Sequence, residues 1–337
     1  MPNIHSLKEN TVKGNLFVSV KGGNTANTEF EFLTGDSCAF LPSGSVAYQQ
    51  FLHKETPSLA SHLKNMGYAT TAIHPYYASG WNREKVYQYF GFDQALFLDS
   101  FENPEKIREY VSDREAFKKI IEQYESKEKG KPLFLFEVTM QNHGGYSRDY
   151  PGFEPTIELT QFPEKTTQIV AVEKYLTLIQ KSDEAFGELL DYFEDQKEKT
   201  VILMFGDHQP SDYITNPLLN LNGIDRESSL EEFQKGYVVP FVIWANYDIE
   251  EETVDKISVN YLSGLLMEKT GLPMSDYHIY LNELRKTIPV LTGNVFIDQN
   301  GGYHTLDEKV LQEERDEYAS LQYNHLIDTS RRVQSFF

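Results

Sequence analysis

The sequence predicts an α/β fold in which a mixed, mostly parallel central sheet is flanked by helices. Apolar runs of strand length alternate with longer stretches of helical periodicity, which is typical of a layered α/β sheet. Several of these strand-like runs end in polar, reactive residues, as expected where parallel strands bring their carboxyl ends to one edge. The chain has 337 residues, 40% hydrophobic and 13% aromatic, which is enough for one large core with a small appendage.

The predicted elements follow one another in a regular order. Strands are predicted at residues 15–20, 69–73, 132–138, 200–205 and 239–245. Helices are predicted at residues 24–33, 57–66, 113–127, 165–195 and 259–270. After residue 288 the pattern changes, because a hairpin over residues 290–305 precedes a charged helix over residues 306–323. We therefore expect a main domain over residues 1–288 and a small hairpin-plus-helix subdomain over residues 289–337.

Charge and cysteine content exclude some classes of protein. A formal net charge of −20 argues against a nucleic-acid partner and against direct adhesion to anionic lipid. The single cysteine, Cys38, rules out an internal disulfide, and a low cysteine count fits a cytosolic or an extracytoplasmic protein equally well. No apolar run approaches the roughly 18–20 residues that span a bilayer, so the chain as given is predicted to be soluble.

An adjacent carboxylate and imidazole, Asp207 and His208, follow the fourth predicted strand. Such a pair at a strand's carboxyl end is a common place for a metal or a catalytic dyad, although alone it is more often a turn with a satisfied histidine. Three other predicted strands lead into Thr25, His74 and His143. If these strands are parallel, all five residues gather at one edge of the sheet, and this convergence is what favours a site.

Thr25 follows two glycines, Gly22 and Gly23, and lies at the predicted start of a helix. One interpretation is that Thr25 or Asn24 only caps this helix. The other is that the Thr25 hydroxyl, near a divalent cation, loses its proton and attacks phosphorus, while the helix amino terminus binds the anion. The two roles are compatible.

Three further residues could contact a phosphate group at this edge. Trp81 and Arg83 follow the His74 strand by a short loop, and a guanidinium group matches phosphate oxygens bidentately. Alternatively, Trp81 lies in the core and Arg83 forms a surface ion pair. His143 either donates a proton to a leaving oxygen or caps the Gly144-Gly145 loop.

In order and approximate spacing, these motifs resemble the extracellular catalytic domain of lipoteichoic acid synthases. Those enzymes are phosphoglycerol transferases of the sulfatase and alkaline phosphatase superfamily. The resemblance covers most of the chain up to about residue 300, and the segments that carry it are residues 23–30, His74 with Trp81-Asn82-Arg83, Asn142-His143 and Gly206-Asp207-His208.

The resemblance implies a specific chemistry. Thr25 would be the nucleophile and a metal ligand, taking a glycerophosphate group from phosphatidylglycerol as a phosphothreonine ester. Asp207 and His208 would bind a Mn²⁺ or Mg²⁺ ion, and the acceptor would be a hydroxyl of a cell-envelope polymer or glycan. The residues implied to surround the glycerophosphate are His74, Trp81, Arg83 and His143.

The sequence departs from this family at its amino terminus. Members of the family have membrane helices and then one more strand, which ends in a carboxylate metal ligand, before the point that corresponds to Met1. We therefore expect an amino-terminally truncated catalytic domain with a weaker, more open metal site and two unpaired strand edges. The full-length parent is expected to be membrane-anchored on the extracytoplasmic face.

Other functions stay open at this stage. A phosphoethanolamine transferase or a phosphodiesterase of the same superfamily would share the phosphate contacts. A module that has lost catalysis and only binds or senses envelope components is a further alternative, supported by the missing ligand. A true sulfatase is disfavoured, because the residues around Cys38 do not fit the cysteine or serine nucleophile motif of that class.

Overall fold

The computed structural model describes residues 1–337. The strands are β1 Thr11–Phe17, β2 Ala69–Ile73, β3 Gln94–Leu96, β4 Lys106–Ile107, β5 Tyr110–Val111, β6 Leu133–Glu137, β7 Val201–Phe205, β8 Val238–Ala245, β9 Glu252–Ser258, β10 Val290–Leu291, β11 Phe296–Ile297 and β12 Tyr303–His304. The α-helices are α1 Pro2–Ser6, α2 Thr25–Thr34, α3 Ala47–Gln50, α4 Leu59–Asn65, α5 Arg83–Tyr89, α6 Asp113–Ser126, α7 Thr167–Glu194, α8 Asp212–Leu221, α9 Leu230–Gln234, α10 Leu262–Thr270, α11 Asp276–Thr287 and α12 Gln312–Leu326.

Two sheets form the centre of the molecule. The first has the strand order β7-β8-β1-β9, and the second has the order β3-β2-β6. All strand pairs are parallel in the second sheet, whereas in the first β8 runs antiparallel to both β1 and β7. Because β1, β7 and β9 share one direction, the loops after β1 and β7 emerge at the same edge. This mixed, mostly parallel α/β architecture confirms the predicted fold class.

The facing edges of the two sheets, β6 and β7, are not hydrogen-bonded to each other. Phe32 of α2 packs against both, with its ring centroid 5.8 Å from that of Phe136 in β6 and 5.0 Å from that of Phe205 in β7. Most side chains of β6 and β7 are only half-buried although their sequences are strongly apolar. One edge of β6 and one edge of β7 therefore have no hydrogen-bonded partner strand in this chain.

Helix α2 lies at the centre of the packing, and all its residues from Ala26 to Thr34 are buried. The helices that surround the sheets begin at side-chain caps of the expected kind. Ser58 forms a capping box with Ser61 at α4, Ser112 accepts from the backbone N–H of Glu115 at α6, and Thr166 accepts from that of Ile169 at α7. No helix in the chain combines the length and apolarity needed to cross a membrane.

Two strand predictions need correction. The first strand is Thr11–Phe17 rather than 15–20, because pairing with β8 starts at Thr11 opposite Trp244 and stops at Phe17 opposite Val238. Strand β9 was missed, because Glu252–Ser258 carries polar and charged residues at most positions. It lies at the outer edge of its sheet, where one row of backbone groups faces away from any partner strand.

The carboxyl-terminal segment has three short strands rather than a two-stranded hairpin, with β11 paired between β10 and β12. Helix α12 begins at Gln312, later than predicted, after Leu311 with φ 47°. Phe296 and Tyr318 belong to the main hydrophobic core, and the Tyr318 hydroxyl donates to the Gly35 carbonyl at 2.6 Å. The domain boundary at residue 288 stays a prediction.

Candidate active site

Thr25 is the first residue of α2, and its hydroxyl does not cap the helix. The loop before it uses left-handed backbone at Gly22, φ 70°, and at Asn24, φ 65°, a conformation that glycine and asparagine tolerate best. Asn24 occupies the N-cap position without a side-chain capping bond. The Thr25 hydroxyl instead donates to Oδ2 of Asp207 at 2.7 Å. This turn therefore directs the hydroxyl away from the helix and towards the end of β7.

Asp207 and His208 follow β7 and complete this group. His208 Nε2 lies 3.3 Å from the Thr25 hydroxyl and 3.2 Å from Asp207 Oδ2. His208 Nδ1 lies 2.9 Å from the carbonyl oxygen of Gln209, which can only accept, so Nδ1 carries a proton and Nε2 is the nitrogen that faces Thr25 and Asp207. Thr28 donates to the Asp207 carbonyl at 2.7 Å and thereby fastens this loop to α2.

The donor atoms of Thr25, Asp207 and His208 suit a divalent cation. A carboxylate oxygen, an imidazole lone pair and a hydroxyl converge here, and Mn²⁺ and Mg²⁺ accept such ligands. Asp207 and His208 are the only ionisable side chains in this set, and the chain contains no group of three or more histidine, cysteine, aspartate or glutamate side chains arranged for a metal. The three residues therefore fit a cation that is held by few protein ligands.

A buried ion pair between Glu29 and Arg83 lies next to the site. Glu29 lies one helical turn after Thr25, and its carboxylate accepts from Nε and Nη2 of Arg83, with Nε 3.1 Å from Oε1. Tyr87 and Tyr48 donate to the same carboxylate at 2.9 and 3.1 Å. Burial acts to raise the pKa of Glu29, but the charge and hydrogen bonds of Arg83 outweigh it and leave that pKa lowered. Glu29 is therefore ionised in the folded protein.

His74 adjoins this pair and is neutral. Its Nδ1 donates to the Val138 carbonyl at 2.8 Å, which leaves Nε2 to accept from Arg83 Nη1 at 3.2 Å. Burial and the neighbouring guanidinium lower the pKa of His74 to about 4. The network thus joins α2, the end of β2 and the start of α5.

The structure excludes one of the two interpretations of Arg83. Its side chain is only 4% exposed and is paired with Glu29 inside the protein, so the alternative of a surface ion pair was wrong. Trp81 is half-buried, with φ 54°, in the turn before Arg83. The phosphate-binding roles of Trp81 and Arg83 stay predictions.

His143 lies in the loop after β6 and is exposed. Its Nδ1 lies 2.9 Å from the Tyr110 hydroxyl. Desolvation by the surrounding side chains lowers the pKa of His143, and the charge of Arg108 lowers it further. The sequence-predicted residues Thr25, Asp207 and His208 are thus in direct contact, whereas no hydrogen bond joins His74 or His143 to these three.

Sequence reasoning missed four residues that shape this site: Glu29, Tyr87, Arg108 and Tyr110. A signal existed for Glu29, because it is four residues after Thr25 and so lies on the same helix face. No comparable signal existed for Arg108 or Tyr110, since they come from a two-stranded hairpin too short to show periodicity.

With this geometry in hand, comparison with known proteins identifies the family. Residues 1–271 match the family model described as Sulfatase. The chain belongs to the sulfatase family. The matched segment contains Thr25, Asp207 and His208, so all three contacting residues of the site lie within the family domain.

Two curated proteins illustrate the similarity in sequence. A putative cyclic beta-1,2-glucan modification protein of Rhizobium meliloti is 33% identical over 305 residues, covering 89% of this chain and 46% of that protein. A lipoteichoic acid synthase of Staphylococcus saprophyticus is 30% identical over 202 residues, covering 58% of this chain and 29% of that protein. The resemblance to lipoteichoic acid synthases is confirmed, and this chain spans less than half the length of either relative.

Solved structures of sulfatase-like proteins share the fold. The phosphoglycerol transferase GacH of Streptococcus pyogenes has a TM-score of 0.76 at 23% identity, covering 100% of this chain and 82% of that one. The lipoteichoic acid synthase LtaP of Listeria monocytogenes has a TM-score of 0.67 at 19% identity, covering 96% and 86%. The periplasmic domain of EcEptC from Escherichia coli, in a complex with Zn, has a TM-score of 0.56 at 17% identity, covering 80% and 75%.

Proposed function

We propose that this domain transfers a phosphoglycerol group from phosphatidylglycerol to an envelope acceptor hydroxyl through a phosphothreonine ester at Thr25. The observation that carries the proposal is the 2.7 Å hydrogen bond from the Thr25 hydroxyl to Asp207 at the amino terminus of α2. It gives the hydroxyl a proton acceptor and places backbone N–H groups beside an incoming phosphate. Relatives named lipoteichoic acid synthase and a structural neighbour named phosphoglycerol transferase support this substrate class.

Thr25, Asp207 and His208 are the residues that would hold a divalent cation, Mn²⁺ or Mg²⁺. When bound, such an ion lowers the pKa of a coordinated hydroxyl and offsets negative charge on a phosphoryl group. The EcEptC domain, which has a similar fold, was solved in a complex with Zn. This supports a metal requirement here but does not identify the metal.

In the first step, Thr25 Oγ1 attacks the phosphorus of the donor while Asp207 accepts the hydroxyl proton. The phosphorus–oxygen bond to diacylglycerol breaks, and the departing oxygen takes a proton from His143, which must start this step as the imidazolium, a form that the negative charge of the bound donor phosphate favours. In the second step an acceptor hydroxyl attacks the phosphothreonine and gives its proton to His143. Thr25 leaves with the proton returned from Asp207, so all three residues end in their starting states.

The donor headgroup would lie against His74, Trp81, Arg83 and His143. Because Arg83 is held by the ionised Glu29 and by His74, its guanidinium would act as a fixed support for the donor site rather than as a mobile clamp.

For the acceptor, the tyrosine rings at the rim favour a glycan over an anionic polymer. Tyr77 is 60% exposed, and its ring centroid lies 4.7 Å from that of Tyr76, which in turn lies 6.0 Å from that of Tyr110. Aromatic faces pack well on apolar faces of sugar rings, whereas a net charge of −20 repels a polyanion. The glucan-modifying name of one relative agrees with this choice.

We further propose that the protein acts at the extracytoplasmic face of the membrane, where phosphatidylglycerol headgroups and envelope glycans meet. Phosphoethanolamine transfer and phosphodiester hydrolysis remain the alternative enzyme functions, because both would use the same threonine. A binding module without catalysis is the alternative of another class, and the small number of ionisable ligands favours it.

The decisive experiment is mass spectrometry of the Thr25 peptide after incubation with Mn²⁺ and phosphatidylglycerol, with phosphatidylethanolamine in parallel. A glycerophosphate adduct on Thr25 supports the proposal. A phosphoethanolamine adduct from the parallel sample alone supports the alternative transferase. Release of free glycerol phosphate without an adduct in a Thr25→Ala protein would refute the covalent route, and the absence of any adduct or turnover would favour the binding module.

A further inference from the structure

Arg108 occupies a strained position in the turn between β4 and β5. Its φ is +62°, in the left-handed region that glycine enters without steric cost and a long side chain does not. A residue held in such a conformation is a reason to ask what its side chain does.

The Arg108 guanidinium binds three backbone carbonyls of the loop that carries His143. Nη2 donates to the carbonyls of Gln141 and His143, each at 2.7 Å, and Nη1 donates to that of Gly144 at 3.2 Å. No carboxylate lies within ion-pair distance of Arg108, so its charge is balanced by carbonyl dipoles. Burial accordingly lowers its pKa.

Three tyrosine rings surround this guanidinium. Its central carbon lies 5.5 Å from the ring centroid of Tyr110, 5.4 Å from that of Tyr146 and 5.6 Å from that of Tyr150. Cation–π contacts of this kind restrict the guanidinium plane and shield it from water. The planar fork can then bridge several carbonyls at once, which a lysine ammonium cannot reproduce.

The same hairpin also contacts the His143 ring. Tyr110 lies two residues after Arg108, and its hydroxyl is 2.9 Å from His143 Nδ1. Burial and the neighbouring Glu109 carboxylate raise the pKa of Tyr110 to about 12, so the phenol stays protonated. The hairpin thus fixes His143 twice, at its backbone through Arg108 and at its ring through Tyr110.

We propose that Arg108 is a positioning residue for His143, which it holds over the sheet edge through the carbonyls of residues 141, 143 and 144. This rests on the proposed function only for the role of His143 as proton donor. The same loop is also held by the buried Gln141 side chain, which donates to Ser182 and to the Leu178 carbonyl. Arg108 and Tyr110 are the side chains that hydrogen-bond to His143 itself, and a displacement of about 1 Å of a catalytic group can cost on the order of 100-fold in rate.

The test compares Arg108→Gly, Arg108→Lys and a matched control, Arg114→Ala. Glycine relieves the positive φ, so Arg108→Gly removes the guanidinium without adding backbone strain. Lysine keeps the charge but not the fork. Arg114 of α6 forms an exposed ion pair with Glu188 of α7, so Arg114→Ala removes one arginine charge whose side chain does not contact the His143 loop.

Two measurements are made on each protein: the ¹⁵N chemical shifts of the His143 ring, assigned from their loss in a His143→Gln protein, and the kinetics of glycerophosphate release. We expect Arg108→Gly to shift and broaden the His143 signals and to lower kcat about 100-fold with KM for the donor little changed. Arg108→Lys should recover part of both effects, and Arg114→Ala should leave both unchanged.

Unchanged His143 signals in Arg108→Gly would overturn the proposal whatever the activity. Shifted His143 signals in an Arg108→Gly protein that keeps full turnover would count against the proposed role of His143 but would support its positioning by Arg108. Shifted signals in a set of proteins none of which, including the unmodified one, shows turnover would have the same meaning. The two ideas can therefore fail separately.

Discussion

The Thr25 hydroxyl donates to Oδ2 of Asp207 at 2.7 Å across a sequence separation of 182 residues. Replacing Thr25 by alanine removes the proposed nucleophile but little packing, because the residue is only partly buried. We expect Thr25→Ala to abolish transfer of labelled glycerophosphate and to change the free energy of unfolding by no more than about 1 kcal/mol. Thr25→Ser, which keeps a hydroxyl, should retain measurable transfer. Turnover in the alanine protein would remove Thr25 from its role.

Asp207 is the only carboxylate in contact with Thr25, and its loss should abolish metal binding. Mn²⁺ that binds the folded protein raises its stability by about 2.7 kcal/mol at a concentration 100 times Kd. We expect this Mn²⁺-dependent rise in Tm in the unmodified protein and none in Asp207→Ala. Asp191→Ala, which removes an exposed carboxylate on α7, is the control. A response to Mn²⁺ that survives Asp207→Ala would place the ion elsewhere.

The buried Glu29–Arg83 pair should be costly to break from one side. Glu29→Gln leaves the Arg83 guanidinium buried without its counter-charge, and we expect a loss of about 3–5 kcal/mol in urea unfolding. The exposed Arg114–Glu188 pair provides a matched comparison, and Glu188→Gln should cost about 0–1 kcal/mol. Similar losses for the two variants would show that the buried pair is not a structural support of the site.

Glu31 gives α2 a stability that depends on pH. Its Oε1 accepts from Ser19 and from the backbone N–H of Cys38, whereas Oε2 is buried without a partner. Burial raises its pKa from 4.5 to about 7, so between these values the folded state binds a proton that the unfolded state has lost. The contribution of Glu31 to stability is therefore full below pH 4.5 and is lost as the pH rises through about 7.

We expect the difference in unfolding free energy between the unmodified protein and Glu31→Gln to fall by on the order of 3 kcal/mol from pH 4.5 to pH 7.5. Denaturant titrations at several pH values measure this difference. The contribution of His74 cancels, because both proteins contain it. His74 has the opposite sign, since its pKa is lowered to about 4 and its contribution is lost as the pH falls. A difference that stays constant with pH would contradict the prediction.

Tyr77 should affect the acceptor and not the donor. Loss of a stacking ring costs about 0.5–1.5 kcal/mol, so we expect Tyr77→Ala to raise KM for a glucan acceptor up to about tenfold. Donor cleavage with water as acceptor should be unchanged, and Tyr77→Phe should behave like the unmodified protein. Tyr323→Ala, at a tyrosine of similar exposure on α12, is the control. An equal effect of the two alanine variants would argue against a glycan surface at Tyr77.

The fold class, most of the long elements and the three residues that meet at the site could be predicted from the amino-acid sequence. Strands β2 and β7 and helices α2, α6 and α7 lie within two residues of their predicted bounds, because each carries a continuous apolar pattern or a clear cap. The convergence of Thr25 with Asp207 followed from the rule that parallel strands bring their carboxyl ends to one edge.

The partners of the buried arginines, in contrast, could be seen only in the folded structure. Arg83 is engaged by Glu29, and Arg108 by three carbonyls of a distant loop, because a buried charge takes whatever partners packing brings to it. Strand β9 and the β4–β5 hairpin are likewise fixed by pairing rather than by their own residues. Local patterns encode the period of an element, whereas contacts between distant elements depend on how the whole chain packs.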